Sequence, residues 1–147
     1  MVSPGGSRSR GTTLGLACRV VLLGVAAGSR STLGLAAPAI AAGRLRSWAA
    51  AAVVGELVGD KLPSTPDRTE AWPFAGRLAS GAAGGVVLAR RAGRRAAPVV
   101  LLGVAAAAVG TIGGLAWRRG ATPVLGPLGA AVTEDAVAIA LAAAAVS

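Results

Sequence analysis

Long apolar runs separated by short clusters of charge organise this chain. The clearest extends from Ala96 to Trp117, twenty-two residues without a charge, bounded by Arg95 and Arg118 and closed by a Trp suited to an interface. A helix needs about twenty apolar residues to cross a bilayer, so this run alone is long enough. Trp72 to Ala89 predicts a second helix, with Arg77 near its start and an arginine cluster at its end. Thr122 to Val146 predicts a third, with Pro123 and Pro127 in its first turns and Glu134 and Asp135 deeper in. Nearer the N-terminus, Thr13 to Ala27, Ser31 to Ala42 and Ser47 to Val58 are shorter runs, and Pro38 kinks or ends the middle one.

Six helical segments follow. The three early ones are either tilted spans or broken, re-entrant helices, which membranes accept where protein or water covers the loose backbone. The pattern predicts an all-α polytopic membrane bundle, with a basic tail over residues 1–12 and a single integral domain over 13–147. The basic tail and the run from Thr12 to Ala27 have the outline of a secretory signal, but Arg19 interrupts the apolar region, so the segment is read as part of the mature protein.

Glycine spacing suggests how such helices pack. Gly24 with Gly28, Gly55 with Gly59 and Gly110 with Gly114 form GxxxG pairs, and Gly76, Ser80 and Gly84 continue a small-residue stripe. Four-residue spacing places each set on one helix face and lets a second backbone approach closely, within the chain or in a homo-oligomer or larger membrane partner.

Composition agrees with a lipid-facing protein. Of 147 residues 54% are hydrophobic, mean hydropathy is +0.66 and only 14% are charged, too few for an ordinary soluble exterior. The net charge of +9 raises nucleic acid as a partner, but the arginines cluster at the ends of apolar runs, and with no Tyr and one Phe there is no stacking platform. Lipid headgroups are the better partner. With six crossings, Arg8, Arg10, Arg44, Arg46, Arg90, Arg91, Arg94 and Arg95 fall on one side, which places both termini in the cytoplasm. The other side holds Arg30, Lys61, Arg68, Arg118 and Arg119. The lone Cys18 lies in an apolar run and reads as a small packing residue.

Two polar features stand out from this background. Gly55 to Thr69 carries Glu56 and Asp60 four residues apart on a continued helix, then Lys61, Pro63, Pro66 and Arg68. It reads either as a mouth for an ion or substrate or as a helix end whose acids pair with Lys61 and Arg68. The second feature is Glu134 with Asp135, in the middle of an apolar run, where each acid costs about 2.5–3.5 kcal/mol at mid-membrane on insertion scales. One reading is a site that passes protons or cations. The other is a buried network with Arg19, Arg30 or Arg77.

The Gly55–Thr69 stretch, with Gly28-Ser29-Arg30-Ser31 before it and Thr133 to Ala140 after it, resembles a bacterial membrane-protein family catalogued as a domain of unknown function, number four-one-two-six. The likeness runs over roughly residues 14–145 and implies a small polytopic protein of the bacterial inner membrane, with no activity attached to it.

Two functions follow as expectations. The first is a transporter or channel-like protein whose route is lined by Glu134, Asp135, Glu56 and Asp60. The second is a non-catalytic membrane organiser or accessory subunit packed through its glycine-rich faces. An enzyme is not expected: there is no His, no phosphate-binding glycine-lysine loop and no metal-ligand spacing, and no cofactor is implied.

Overall fold

A computed structural model describes residues 7–43, 46–59 and 71–147, with side-chain surroundings for 15–43, 47–58 and 71–147. These residues form five α-helices and no strand: α1 (Ser7–Ser29), α2 (Leu33–Ala41), α3 (Arg46–Gly59), α4 (Ala71–Arg91) and α5 (Ala97–Val146). Asp60, Lys61 and Arg68 lie outside the described residues.

The last two apolar runs form two helical arms within α5, and the break between them lies later than the charge pattern placed it. They join as one 50-residue element interrupted at Gly126, whose φ of 72° and ψ of 166° are non-helical. The double arginine at 118 and 119 does not end the first run, because an arginine inside a helix costs the backbone nothing. The break comes where glycine permits it, one residue before Pro127. The two arms then fold back on each other. Trp117 donates from Nε1 to Ala130 O at 3.1 Å, and Arg118 reaches Glu134 sixteen residues on. An unbroken helix would separate the latter pair by about 24 Å.

α1 packs on both arms in opposite senses. Gly24 and Gly28 sit against Gly103 to Thr111 of the first arm, running parallel to it. Arg19 meets Ala145 and Arg30 meets Asp135 of the second arm, which is antiparallel. The buried stripe Leu16, Val20, Leu23 and Ala27 recurs at helical spacing and faces this groove.

α4 runs antiparallel to both α1 and the first arm of α5. Its buried stripe, Arg77, Gly81, Gly84, Gly85 and Leu88, is mostly glycine, so backbones touch. A Cβ on Gly81 would lie 2.6 Å from Gly103 O. The α4–α5 turn is closed by Gly93 at φ 63°, with Arg94 N bonded to Ala89 O at 2.8 Å as in a Schellman ending. α2 folds back along α4, tied at its far end by Arg91 donating to Pro38 O at 2.7 Å. α3 packs chiefly against α2. The α4–α5 turn, the end of α2 and the C-terminus consequently share one end of the bundle.

The outer surface is apolar too. On the first arm of α5, Leu101, Ala105, Val109, Ile112 and Ala116 form an exposed stripe opposite the buried Gly103, Ala107, Gly110 and Gly114. α5 is the one described helix long and apolar enough to cross a membrane, and only 39% of its most apolar window is buried. Cys18, expected to pack inside, is exposed on the outer face of α1.

Candidate functional site

The polar residues converge on one short segment, the turn Gly28-Ser29-Arg30-Ser31-Thr32 between α1 and α2. Reversing direction there exposes the last carbonyls of α1 and the first N–H groups of α2, which have no partner inside their own helices. Every other helix supplies a partner.

From α4, Arg77 donates from Nη1 to Gly28 O at 2.7 Å and to Ser29 O at 2.8 Å, placing a cation at the negative end of α1. Ser80, also on α4, donates from Oγ to Ser31 O. From the first arm of α5, Thr111 Oγ1 lies 3.0 Å from both Gly28 O and Ala107 O.

From α3, Glu56 supplies the complementary charge. Its Oε1 accepts from Ser31 N at 2.7 Å and Ser31 Oγ at 2.6 Å, and its Oε2 accepts from Thr32 N at 2.9 Å and Thr32 Oγ1 at 2.5 Å. Thr32 makes no side-chain cap of its own for α2, so a carboxylate from another helix does that work at the positive end of the dipole.

From the second arm of α5, Asp135 meets Arg30. Arg30 donates from Nε to Asp135 Oδ1 at 2.8 Å, and its Nη2 also bonds that oxygen. Arg30 is 1% exposed and is one of the largest fully buried side chains in the described structure. Its neighbour Glu134 takes a different cation: Arg118 donates from Nε to Glu134 Oε2 at 2.5 Å. Both of these adjacent acids are buried. Ala131, Glu134, Asp135, Ala138, Ala142 and Ala145 form the inward stripe of this arm.

The cation assignments differ from expectation in two places. Arg19 pairs with no acid among the described residues but donates to Ala145 O at 2.7 Å, because it lies three helical turns from Arg30 along α1. Arg118, read from sequence as an interface residue, is the partner of Glu134. A signal for this exists: Arg118 and Glu134 stand eight residues before and eight after Gly126, hence at equal height in a hairpin that turns there. Glu56 is an anchor for α2, with all four of these hydrogen bonds directed at the turn.

Among the packing residues, Gly24, Gly28, Gly84 and Gly110 lie where an added Cβ would meet another helix, Ser80 lies against Gly34, and Gly114 is buried. Gly55 and Gly76 face open space, so the contact expected of them falls instead to Gly34, Gly81, Gly85 and Gly103. The surroundings of Gly59 lie outside the described side chains. The four-residue spacing was present at Gly55 and Gly76, but these faces of α3 and α4 point away from the bundle.

A groove of about 300 Å³ opens between α1 and the two arms of α5, lined by Val25, Gly110, Gly113, Trp117, Glu134 and Leu141. Among the described residues, no three His, Cys, Asp or Glu side chains come together as a metal site.

No protein-family model, curated protein or solved structure matches this chain.

Proposed function

We propose that this chain is a multi-pass helical membrane protein, a non-catalytic organiser or accessory subunit whose charged residues fasten its helices around the α1–α2 turn. The observation that carries this reading is the pairing of opposite groups: Arg30 with Asp135, Arg118 with Glu134, Glu56 with the start of α2 and Arg77 with the end of α1. Such groups hold several helices in one register, a role best attested for buried polar residues elsewhere.

The membrane part rests on α5, which is apolar on both faces. A helix hydrophobic all round is either enclosed by protein or surrounded by lipid, and most of this one is not enclosed. Exposed Trp72, Leu101 and Val124 add to this apolar exterior. The shared end holding Arg90, Arg91, Arg94 and Arg95 supports cytoplasmic termini in the inner membrane. Membership of the family that the Gly55–Thr69 motif resembles belongs to the same proposal.

One observation favours the transporter reading instead. Glu134 lines the groove, and the side chain of its partner Arg118 is 28% exposed, whereas that of Arg30, the partner of Asp135, is 1% exposed. Single cysteines at 130–138 in a chain lacking Cys18, probed with a water-soluble thiol reagent in membranes, separate the two. Protection around position 134 supports the fastening role, whereas a labelled stripe there, with ion flux abolished by Glu134→Gln in vesicles, establishes a pathway.

A further inference from the structure

At the arginine-rich end of the bundle, a second cavity joins two chemistries. It measures about 530 Å³ and lies between α1 and the start of α5, with Arg94 and Arg95 at one side and Leu16, Pro98, Val99 and Leu102 along the others. Neither arginine makes a side-chain hydrogen bond or ion pair among the described residues, and both are exposed. In this they differ from Arg91, which is held by Pro38 O, from Arg30 and Arg77, which serve the turn network, and from Arg118, which meets Glu134.

We infer that this cavity is a binding site for one anionic phospholipid, the phosphate lying between Arg94 and Arg95 and an acyl chain lying along Leu16, Val99 and Leu102. The inference rests on the membrane reading above. Charge complementarity selects the headgroup: Arg90, Arg91, Arg94 and Arg95 occupy this turn with no acidic residue between Ala71 and Thr133 to offset them. Two cations hold a phosphodiester, and a basic pocket between membrane helices on the cytoplasmic side suits it. The N-terminus of α5, where Ala96 offers no side-chain cap, adds positive potential on the same side. The apolar walls select a lipid over a soluble anion, because a free phosphate gains nothing from Leu16 or Leu102.

The test uses the full chain in detergent micelles, with native mass spectrometry and thermal unfolding as readouts. Added phosphatidylglycerol is expected to be retained as one molecule per chain and to raise the unfolding temperature, while phosphatidylcholine and inorganic phosphate at equal concentration do neither. The double variant R94Q/R95Q should weaken retention about thirtyfold, while R119Q, an exposed arginine remote from the cavity, should leave it unchanged. Equal retention by R94Q/R95Q, equal loss in R119Q, or full stabilisation by inorganic phosphate overturns the site. Alkaline carbonate extraction of membranes reports separately on the membrane reading, so a chain that stays in the membrane yet retains no phosphatidylglycerol defeats only this inference.

Discussion

Arg30 and Asp135, 105 residues apart in sequence, share a hydrogen bond of 2.8 Å between Nε and Oδ1 in the buried interior. Removing the acid takes from a fully buried guanidinium the carboxylate oxygen that its Nε and Nη2 both meet. Asp135→Ala should therefore destabilise the fold by about 3–5 kcal/mol. Replacing both partners together, Arg30→Met with Asp135→Leu, should restore most of that loss, because neither charge of this pair then remains buried without the other. Thermal unfolding of the single and double variants in detergent measures this, and a double variant as unstable as Asp135→Ala would show that the pair is not coupled.

Glu56 carries a similar prediction of smaller size. Its carboxylate takes the N–H and hydroxyl groups of both Ser31 and Thr32, so Glu56→Ala uncaps α2 and should cost about 1–2 kcal/mol. Glu56→Gln should fare little better, since half of the amide is a donor facing donors. Hydrogen exchange at the first turn of α2, faster in both variants, is the direct measure.

Gly81 and Gly76 lie five residues apart on α4 and should respond oppositely to alanine. At Gly81 a methyl group meets Gly103 O and Ala107 Cβ, so Gly81→Ala should cost about 1–3 kcal/mol through forced separation of α4 and α5. At Gly76 it meets nothing within 4 Å, and Gly76→Ala should stabilise by about 0.5–1 kcal/mol through helix propensity alone. Comparing the two melting temperatures checks the direction of each.

Gly126 occupies a backbone region, φ 72° with ψ 166°, that side chains all but exclude. Gly126→Ala is expected to cost about 1–3 kcal/mol although its Cβ would touch nothing within 4 Å. The loss should appear in thermal unfolding with the exposed apolar surface unchanged. A stability equal to the parent chain would mean that the two arms of α5 meet with a different geometry.

The apolar periodicity located the helices well, because each helix must bury or present a continuous face and that requirement is written locally. Thr13 to Ala27, Ser31 to Ala42, Ser47 to Val58 and Trp72 to Ala89 all fall within or across one helix. The extension of the first arm of α5 past Arg118 and Arg119 to Gly126 was not legible from charge, since these arginines mark an interface in one context and a pairing position in another. Partner choice was harder. Arg19, Arg30 and Arg77 are equivalent by composition, and only the sense of packing tells which stands level with Asp135. The role of Glu56 was hidden for a further reason: its ligands are the backbone groups of a turn, which no side-chain pattern reveals.

The position of the α1–α2 turn also bears on how the protein is made. A ribosome delivers α1 and α2 first, yet the groups that hold their junction follow later, Glu56 first and then Arg77, Thr111 and Asp135 at 49, 83 and 105 residues. Folding in the order of synthesis cannot lock the turn until the last arm arrives. A nascent chain stopped short of Asp135 would lack the acid that meets Arg30 across the turn.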